Sequence, residues 1–149
     1  MTLAHYQSAD SIEICATPGK IYEALTRWKD RMVWRKGLSL KWEGQDQAAV
    51  GQEIVARIEG ILPHFFQFKV TGLEPPYRLF FEYTGKPLRG RASIEIIPDQ
   101  GFCQVSFYWL RVKPEGFWAQ LYFRLGWGLA NHRRQTGQTL QMLKAYLEK

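Results

Sequence analysis

Polar and apolar residues alternate near the start of the chain. Ile12 and Ile14 fall on one side of an extended segment, while Ser11 and Glu13 fall on the other. A period of two is typical of a strand with one buried face. The pattern therefore predicts a first β-strand over residues 10–16.

Two short helical segments are predicted next. Thr17 suits the cap of a helix and Pro18 its first position, and the following apolar residues are spaced three or four apart on one face. These apolar residues are Ile21, Tyr22 and Leu25. A second short helical or irregular piece over residues 27–35 carries Trp28, Met32 and Trp34 before Gly37 ends it.

From residue 38 the period changes to two and remains so through the middle of the chain. Segments rich in Gly, Pro and Asp interrupt it, as expected of turns. The predicted strands cover residues 38–43, 52–59, 64–74, 77–85, 88–98 and 102–113. Because no helical segment separates them, the pattern indicates antiparallel strands and not βαβ units.

The last part of the chain, residues 117–148, has the period of a helix. Its apolar residues recur every three or four positions, with charged and amide side chains between them. A straight helix of about 32 residues would span roughly 48 Å, longer than a small sheet is wide. We therefore expect a bend near Gly126, Gly128 or Gly137.

Composition favours one folded domain with many rings to accommodate. The 149 residues are 46% hydrophobic and 15% aromatic, and the formal net charge is +6. One domain over residues 1–149 can bury a substantial core, and aromatic rings also line concave sites for apolar ligands. The positive charge attracts anions, but no nucleic-acid recognition motif accompanies it, so we expect no nucleic-acid partner.

Motifs for metals and nucleotide cofactors are missing from the sequence. Cys15 and Cys103 form no C-x-x-C pair and are expected to be free, buried thiols. His5, His64 and His132 lack the mutual spacing of a metal site. There is no P-loop, dinucleotide fingerprint or nucleophile elbow. The sequence therefore predicts no metal and no cofactor.

The N-terminal residues and the apolar stretches of the chain give an expectation about its cellular location. The first residues lack the charged start and apolar run of a signal peptide, and no stretch approaches the roughly 20 apolar residues of a membrane span. These features predict a cytoplasmic protein.

Several segments together carry a family resemblance. They are residues 11–25, Trp34, Val50–Gly51, the corner at residues 73–76 and the ending at residues 140–148. In this combination the chain resembles the START-like, polyketide cyclase/dehydrase (SRPBCC) superfamily. The resemblance implies an α+β helix-grip fold, in which a curved antiparallel sheet of about seven strands wraps around a long C-terminal helix, with two short helices after the first strand. It also implies a cavity for lipids, sterols, polyketides or other apolar molecules between sheet and helix.

The more apolar alternate positions of each strand are expected to face that cavity, together with one stripe of the terminal helix. The residues expected to bind the ligand are Trp34, Phe66, Phe68, Phe81, Tyr83, Phe107, Trp109, Arg111, Leu125, Leu129, His132 and Thr136. Each apolar member would equally suit an ordinary solid core. His132 is either a hydrogen-bonded core residue or a group that orients a ligand carbonyl or hydroxyl. Arg111 either reaches a ligand carboxylate at the cavity mouth or extends into water.

These observations favour a binding or carrier protein for a small hydrophobic molecule. No pair of carboxylates falls on the inward positions, so no dedicated catalytic set is expected. A polyketide cyclase or dehydratase is the alternative, with Tyr83, His132 or Arg111 supplying proton transfers. A third alternative is a membrane- or protein-surface module that associates weakly with anionic membranes, based on the net charge and the Arg133/Arg134 pair. The sequence does not determine the oligomeric state.

Overall fold

The computed structural model describes residues 5–59, 64–85 and 87–149, with His64 described by its backbone alone. Seven strands form one curved antiparallel sheet in the order β1-β7-β6-β5-β4-β3-β2. The strands are β1 (Tyr6–Ile14), β2 (Leu38–Trp42), β3 (Glu53–Ile58), β4 (His64–Glu74), β5 (Arg78–Gly85), β6 (Leu88–Asp99) and β7 (Phe102–Pro114). From β2 to β7, strands that are consecutive in the chain are paired. Strand β1 pairs with β7, so the first strand lies beside the last. The predicted α+β fold class is confirmed.

Two short helices connect β1 to β2. The first, α1 (Pro18–Thr26), begins where Thr17 Oγ1 accepts a hydrogen bond from the Lys20 backbone N at 3.3 Å. The second, α2 (Trp28–Trp34), is fixed to α1 by Trp34, whose indole Nε1 donates to the Ala24 carbonyl oxygen at 2.9 Å. This bond holds the buried Trp34 side chain at the C-terminal end of α2.

The C-terminal segment forms two helices where the periodicity predicted one bent helix. They are α3 (Phe117–Arg124) and α4 (Trp127–Leu147). Gly126 between them has a left-handed φ of 84°, a conformation that glycine adopts without steric cost. Of the three glycines at which a bend was expected, the break therefore falls at Gly126, and the other two lie within α4.

Strand β7 contains a bulge that reverses its alternation. Trp109 pairs with Ala92 on β6, but Arg111 pairs with Arg91, so β7 has one residue more than its partner over this interval. As a result Trp109 and Val112 are both buried, while Leu110 and Arg111 between them are exposed. A one-residue shift exchanges the inner and outer faces of a strand, which is the effect seen here.

Helix α4 closes the sheet at one side and does not fill its centre. It packs mainly against β1, α1, α2 and α3. At its C-terminal end, Lys144 Nζ donates to the Glu13 carbonyl oxygen at 2.6 Å, and Glu148 Oε2 accepts from the Cys15 backbone N at 2.9 Å. These contacts fix α4 to the β1 edge and leave a space between the helix and β3, β4 and β5.

Candidate functional site: an apolar cavity between sheet and helices

A cavity of about 600 Å³ lies between the concave face of the sheet and α2, α3 and α4. Strands β2 to β7 all contribute to its wall, and the volume is that of a typical small-molecule site. The expectation that the terminal helix covers the sheet without filling it therefore agrees with the structure.

Aromatic rings form a continuous series along the cavity wall. Phe66 contacts Tyr83 with ring centroids 5.8 Å apart, Phe68 contacts Phe81 at 5.6 Å, and Phe81 contacts Phe107 at 5.7 Å. The centroid distances and tilted or edge-on geometries are those of favourable aromatic pairs. Neighbouring rings therefore support each other along the cavity wall.

His132 lies against this aromatic wall from the α4 side. Its imidazole stacks on Trp109 with ring centroids 3.4 Å apart, and its Nε2 is 3.1 Å from the Ser8 hydroxyl oxygen. Burial, with a smaller contribution from the Arg133 charge, lowers the pKa of His132 from 6.5 to about 3. The side chain is therefore neutral at physiological pH.

Tyr83 supplies a hydroxyl group inside the cavity. Trp109 Nε1 donates to Tyr83 Oη at 3.1 Å, so the phenol oxygen acts as an acceptor and its own proton remains available for donation. Burial raises the pKa of Tyr83 to about 12. At neutral pH this group can donate a hydrogen bond, but it does not release its proton to water.

Two arginines of the α2 segment also line the cavity. Arg35 is buried and well bonded: its Nε donates to Thr139 Oγ1 at 2.6 Å and its Nη2 to Gln135 Oε1 at 2.8 Å. Arg31 Nε, by contrast, is buried without a hydrogen-bond partner among the described residues. Burial lowers the pKa of Arg31 to about 10, so it remains positively charged at pH 7.

Apolar side chains surround the mouth of the cavity. Trp118 and Tyr122 of α3 line the cavity and are also exposed, Trp118 to 77%. Phe65 and Pro87 also line the cavity and are exposed. A hydrophobic ligand would meet apolar surface before it reaches the interior.

Nine of the twelve residues predicted to bind the ligand lie on the cavity wall. They are Trp34, Phe66, Phe68, Phe81, Tyr83, Phe107, Trp109, His132 and Thr136. Their contact with a ligand stays a prediction. The other three, Arg111, Leu125 and Leu129, are not on the wall.

The positions of these three residues have local physical causes. Arg111 follows the β7 bulge and lies on the outer face of the sheet, in a basic surface depression with Arg89 and Arg91. Leu125 is 54% exposed because the helix breaks at Gly126 and the stripe of α4 does not continue into α3. Leu129 is partly buried against the hydrophobic core beside the cavity.

The sequence analysis did not identify several residues of the cavity wall, among them Arg31, Arg35 and Phe123. Arg31 precedes Trp34 by three residues and Arg35 by four, so a helical period would have put all three on one face. Phe123 lies three residues before Gly126, where the predicted single helix breaks. The helical spacing that places the arginines beside Trp34 is visible in the sequence. Assignment of Phe123 to the cavity wall, by contrast, requires the position of the helix break.

The described residues contain no group of three or more His, Cys, Asp or Glu side chains arranged to hold a metal. They also contain no helix long and apolar enough to cross a membrane. Cys103 is a buried free thiol as expected, but Cys15 is exposed because it lies just beyond the end of β1.

Comparison with known proteins identifies the fold. No protein-family profile matches the chain, and no curated protein sequence is similar to it. Solved structures do match. The Aha1 dimer from Colwellia psychrerythraea is similar at 22% identity, over 96% of both chains, with a TM-score of 0.70. The KanY protein is similar at 12% identity, over 99% of this chain and 100% of that one, with a TM-score of 0.75.

DynU16, from the dynemicin biosynthetic locus, is similar at 18% identity with a TM-score of 0.69. The match covers 96% of this chain and 47% of DynU16, so this chain spans about half of that protein. At these identities the similarity concerns the fold. The chain has the fold that the resemblance to the START-like, polyketide cyclase/dehydrase (SRPBCC) superfamily implies.

Proposed function

We propose that the protein binds and carries a small hydrophobic molecule in the cavity between the sheet and α4. The observation that carries the proposal is an open space of about 600 Å³ whose wall is mostly apolar and aromatic. Transfer of apolar ligand surface from water into such a site is favourable by about 25 cal/mol per Å² before the costs of association. The fold alone supports the ligand class but not a reaction.

The titratable groups of the cavity favour binding over acid–base catalysis. General acids and bases work best with pKa values near the operating pH. The pKa of His132 is about 3, that of Tyr83 about 12 and that of Arg31 about 10. No Asp or Glu occurs among the described residues that line the cavity. Among the described lining residues, the cyclase alternative therefore has no proton donor and acceptor tuned to neutral pH.

Native mass spectrometry of the purified protein, combined with displacement of a fluorescent fatty acid, tests the proposal. The matched variants are Ala56→Phe and Val55→Phe, which are adjacent on β3. Ala56 is fully buried on the cavity wall, whereas Val55 is 39% exposed on the other face. We expect Ala56→Phe to weaken probe binding roughly tenfold or more by occupying ligand space, and Val55→Phe to leave it unchanged. Absence of both a co-purifying ligand and probe binding in the wild type would contradict the proposal.

A second candidate function is association with an anionic membrane surface through the cavity mouth. Exposed apolar residues are concentrated between the start of α3 and the start of α4: Phe117, Trp118, Leu121, Tyr122, Leu125 and Trp127. Tyr and Trp are favoured at membrane–water interfaces. Arg124 and Arg134 are exposed and contribute to the net charge of +6, which favours an anionic surface.

Co-sedimentation with vesicles containing phosphatidylglycerol or phosphatidylcholine alone tests this candidate. We expect binding to the anionic vesicles that weakens with added salt and is reduced by the double variant Trp118→Ser/Trp127→Ser. Val33→Ser, at an exposed apolar residue of α2, is the control. Anionic vesicle binding that is insensitive to salt, or equal for the double variant and the control, would contradict it.

A further inference from the structure

The cavity contains positive charge without a negative partner. Arg31 and Arg35 both line it, and no Asp or Glu is found among the described lining residues. The residues outside the described ranges are also free of Asp and Glu, so none of them can supply a carboxylate. No salt bridge of the described residues involves either arginine.

The two arginines differ in how their donors are satisfied. Arg35 donates to the side chains of Thr139 and Gln135 and to the Lys36 carbonyl oxygen, which ties α2 to α4. Its role is explained by the fold. Arg31 makes no such bonds to the described residues, and its Nε is buried. An unpaired buried donor carrying charge is strongly unfavourable, and the described residues leave Arg31 Nε without an acceptor.

The neighbouring groups do not neutralise Arg31. Burial holds the pKa of His132 near 3 and raises the pKa of Tyr83 to about 12, so both side chains are neutral at pH 7. Tyr83 and Arg31 are close enough to interact electrostatically. The Tyr83 hydroxyl already accepts from Trp109 and therefore has a proton to donate. Arg31 and Tyr83 thus present donors, and no negative charge, to the same region of the cavity.

We propose that the ligand is an anionic amphiphile whose carboxylate is bound by the Arg31 guanidinium and the Tyr83 hydroxyl, with its apolar part against the aromatic wall. This inference rests on the proposed function, since it specifies the ligand class of the same cavity. A guanidinium presents paired N–H donors that match the two oxygens of a carboxylate, and such charge-assisted bonds are stronger than neutral ones. The ligand supplies the counter-charge that the described cavity wall lacks.

Calorimetric titration at pH 8 with decanoate and decan-1-ol tests the inference. The two probes share an alkyl chain and differ in the charge of the head group. We expect the wild type to bind decanoate roughly tenfold or more tightly than decan-1-ol. Arg31→Met, which keeps an unbranched side chain, is expected to abolish the preference while retaining decan-1-ol binding. Arg78→Met, at the exposed first residue of β5 and away from the cavity lining, is the matched control and is expected to retain the preference.

The possible results separate the two proposals. Equal binding of both probes by the wild type, or an unchanged preference in Arg31→Met, would overturn the anionic-ligand inference and leave hydrophobic binding intact. Binding of neither probe would contradict the proposed function and the inference with it.

Thermal unfolding without ligand provides a second measurement. Arg31→Met is expected to raise the unfolding temperature, because it removes a buried charge that has no partner. A lowered unfolding temperature would show that the protein itself satisfies Arg31, and would overturn the inference.

Discussion

Replacement of His132 by Phe is expected to make the stability of the protein less sensitive to acid. The imidazole is partly buried, stacked on Trp109 and close to Phe107. Its pKa is about 3 in the folded protein and 6.5 in the unfolded chain. Between these values the unfolded chain binds a proton that the folded protein does not, so this contribution to stability is present above pH 6.5 and is lost as pH falls.

The size of the effect follows from the two pKa values. At pH 5 the solution is about 1.5 pH units below the unfolded pKa, and each unit corresponds to about 1.4 kcal/mol. Acidification from pH 7.5 to 5 should therefore cost about 2 kcal/mol through His132 alone. Because pH 5 remains well above the folded pKa, the figure depends mainly on the value for the unfolded chain.

Urea unfolding of the wild type and His132→Phe at pH 7.5 and pH 5 measures the difference. Phe preserves the stacking on Trp109 but not the bond to Ser8, and loss of that bond shifts stability similarly at both pH values. The wild type should lose about 2 kcal/mol more than the variant on acidification. Equal losses would refute the reasoning, and would mean that the Trp109 face stabilises the imidazolium as strongly as burial disfavours it.

Three further substitutions test the packing around the cavity by urea or thermal unfolding. Gly137→Ala should stabilise α4 by about 0.5–1 kcal/mol, because an added Cβ meets no atom within 4 Å, and destabilisation would contradict this. Gly128→Ala should destabilise by about 1–3 kcal/mol, because its Cβ would lie 2.4 Å from the Phe123 ring; an unchanged midpoint would count against the α3–α4 packing. Trp34→Phe should cost about 1–3 kcal/mol by leaving the buried Ala24 carbonyl without its 2.9 Å donor, and a neutral result would argue against that hydrogen bond.

Local periodicity in the sequence determined the secondary structure and much of the cavity wall. Alternation is a property of each strand, so Phe66, Phe68, Phe81 and Tyr83 could be assigned to the inner face without knowledge of the strand partners. A bend in the terminal segment was predictable because glycine is the residue that most readily adopts a left-handed conformation, as Gly126 does. These features depend on residues that are close in sequence.

The tertiary structure decided where that alternation fails. The inward register predicted through Arg111 ends at the β7 bulge, which is set by pairing with both β1 and β6. Gly90 on β6 permits this close approach, since a Cβ there would lie 2.0 Å from the Arg111 carbonyl oxygen. No pattern within β7 marks the extra residue, because it is defined only relative to the neighbouring strands.

The open cavity and the unpaired charge of Arg31 likewise belong to the tertiary structure. Whether rings on an inner face form a solid core or line a space depends on where α4 lies, and contacts at β1 and α2 hold it at the side of the sheet. The helical spacing of Arg31 and Trp34 puts them on one face, but only the packing of α2 against the sheet turns that face inward. The sequence supplied the apolar surface, and long-range packing set the volume and the charge enclosed by it, because both depend on residues far apart in the chain.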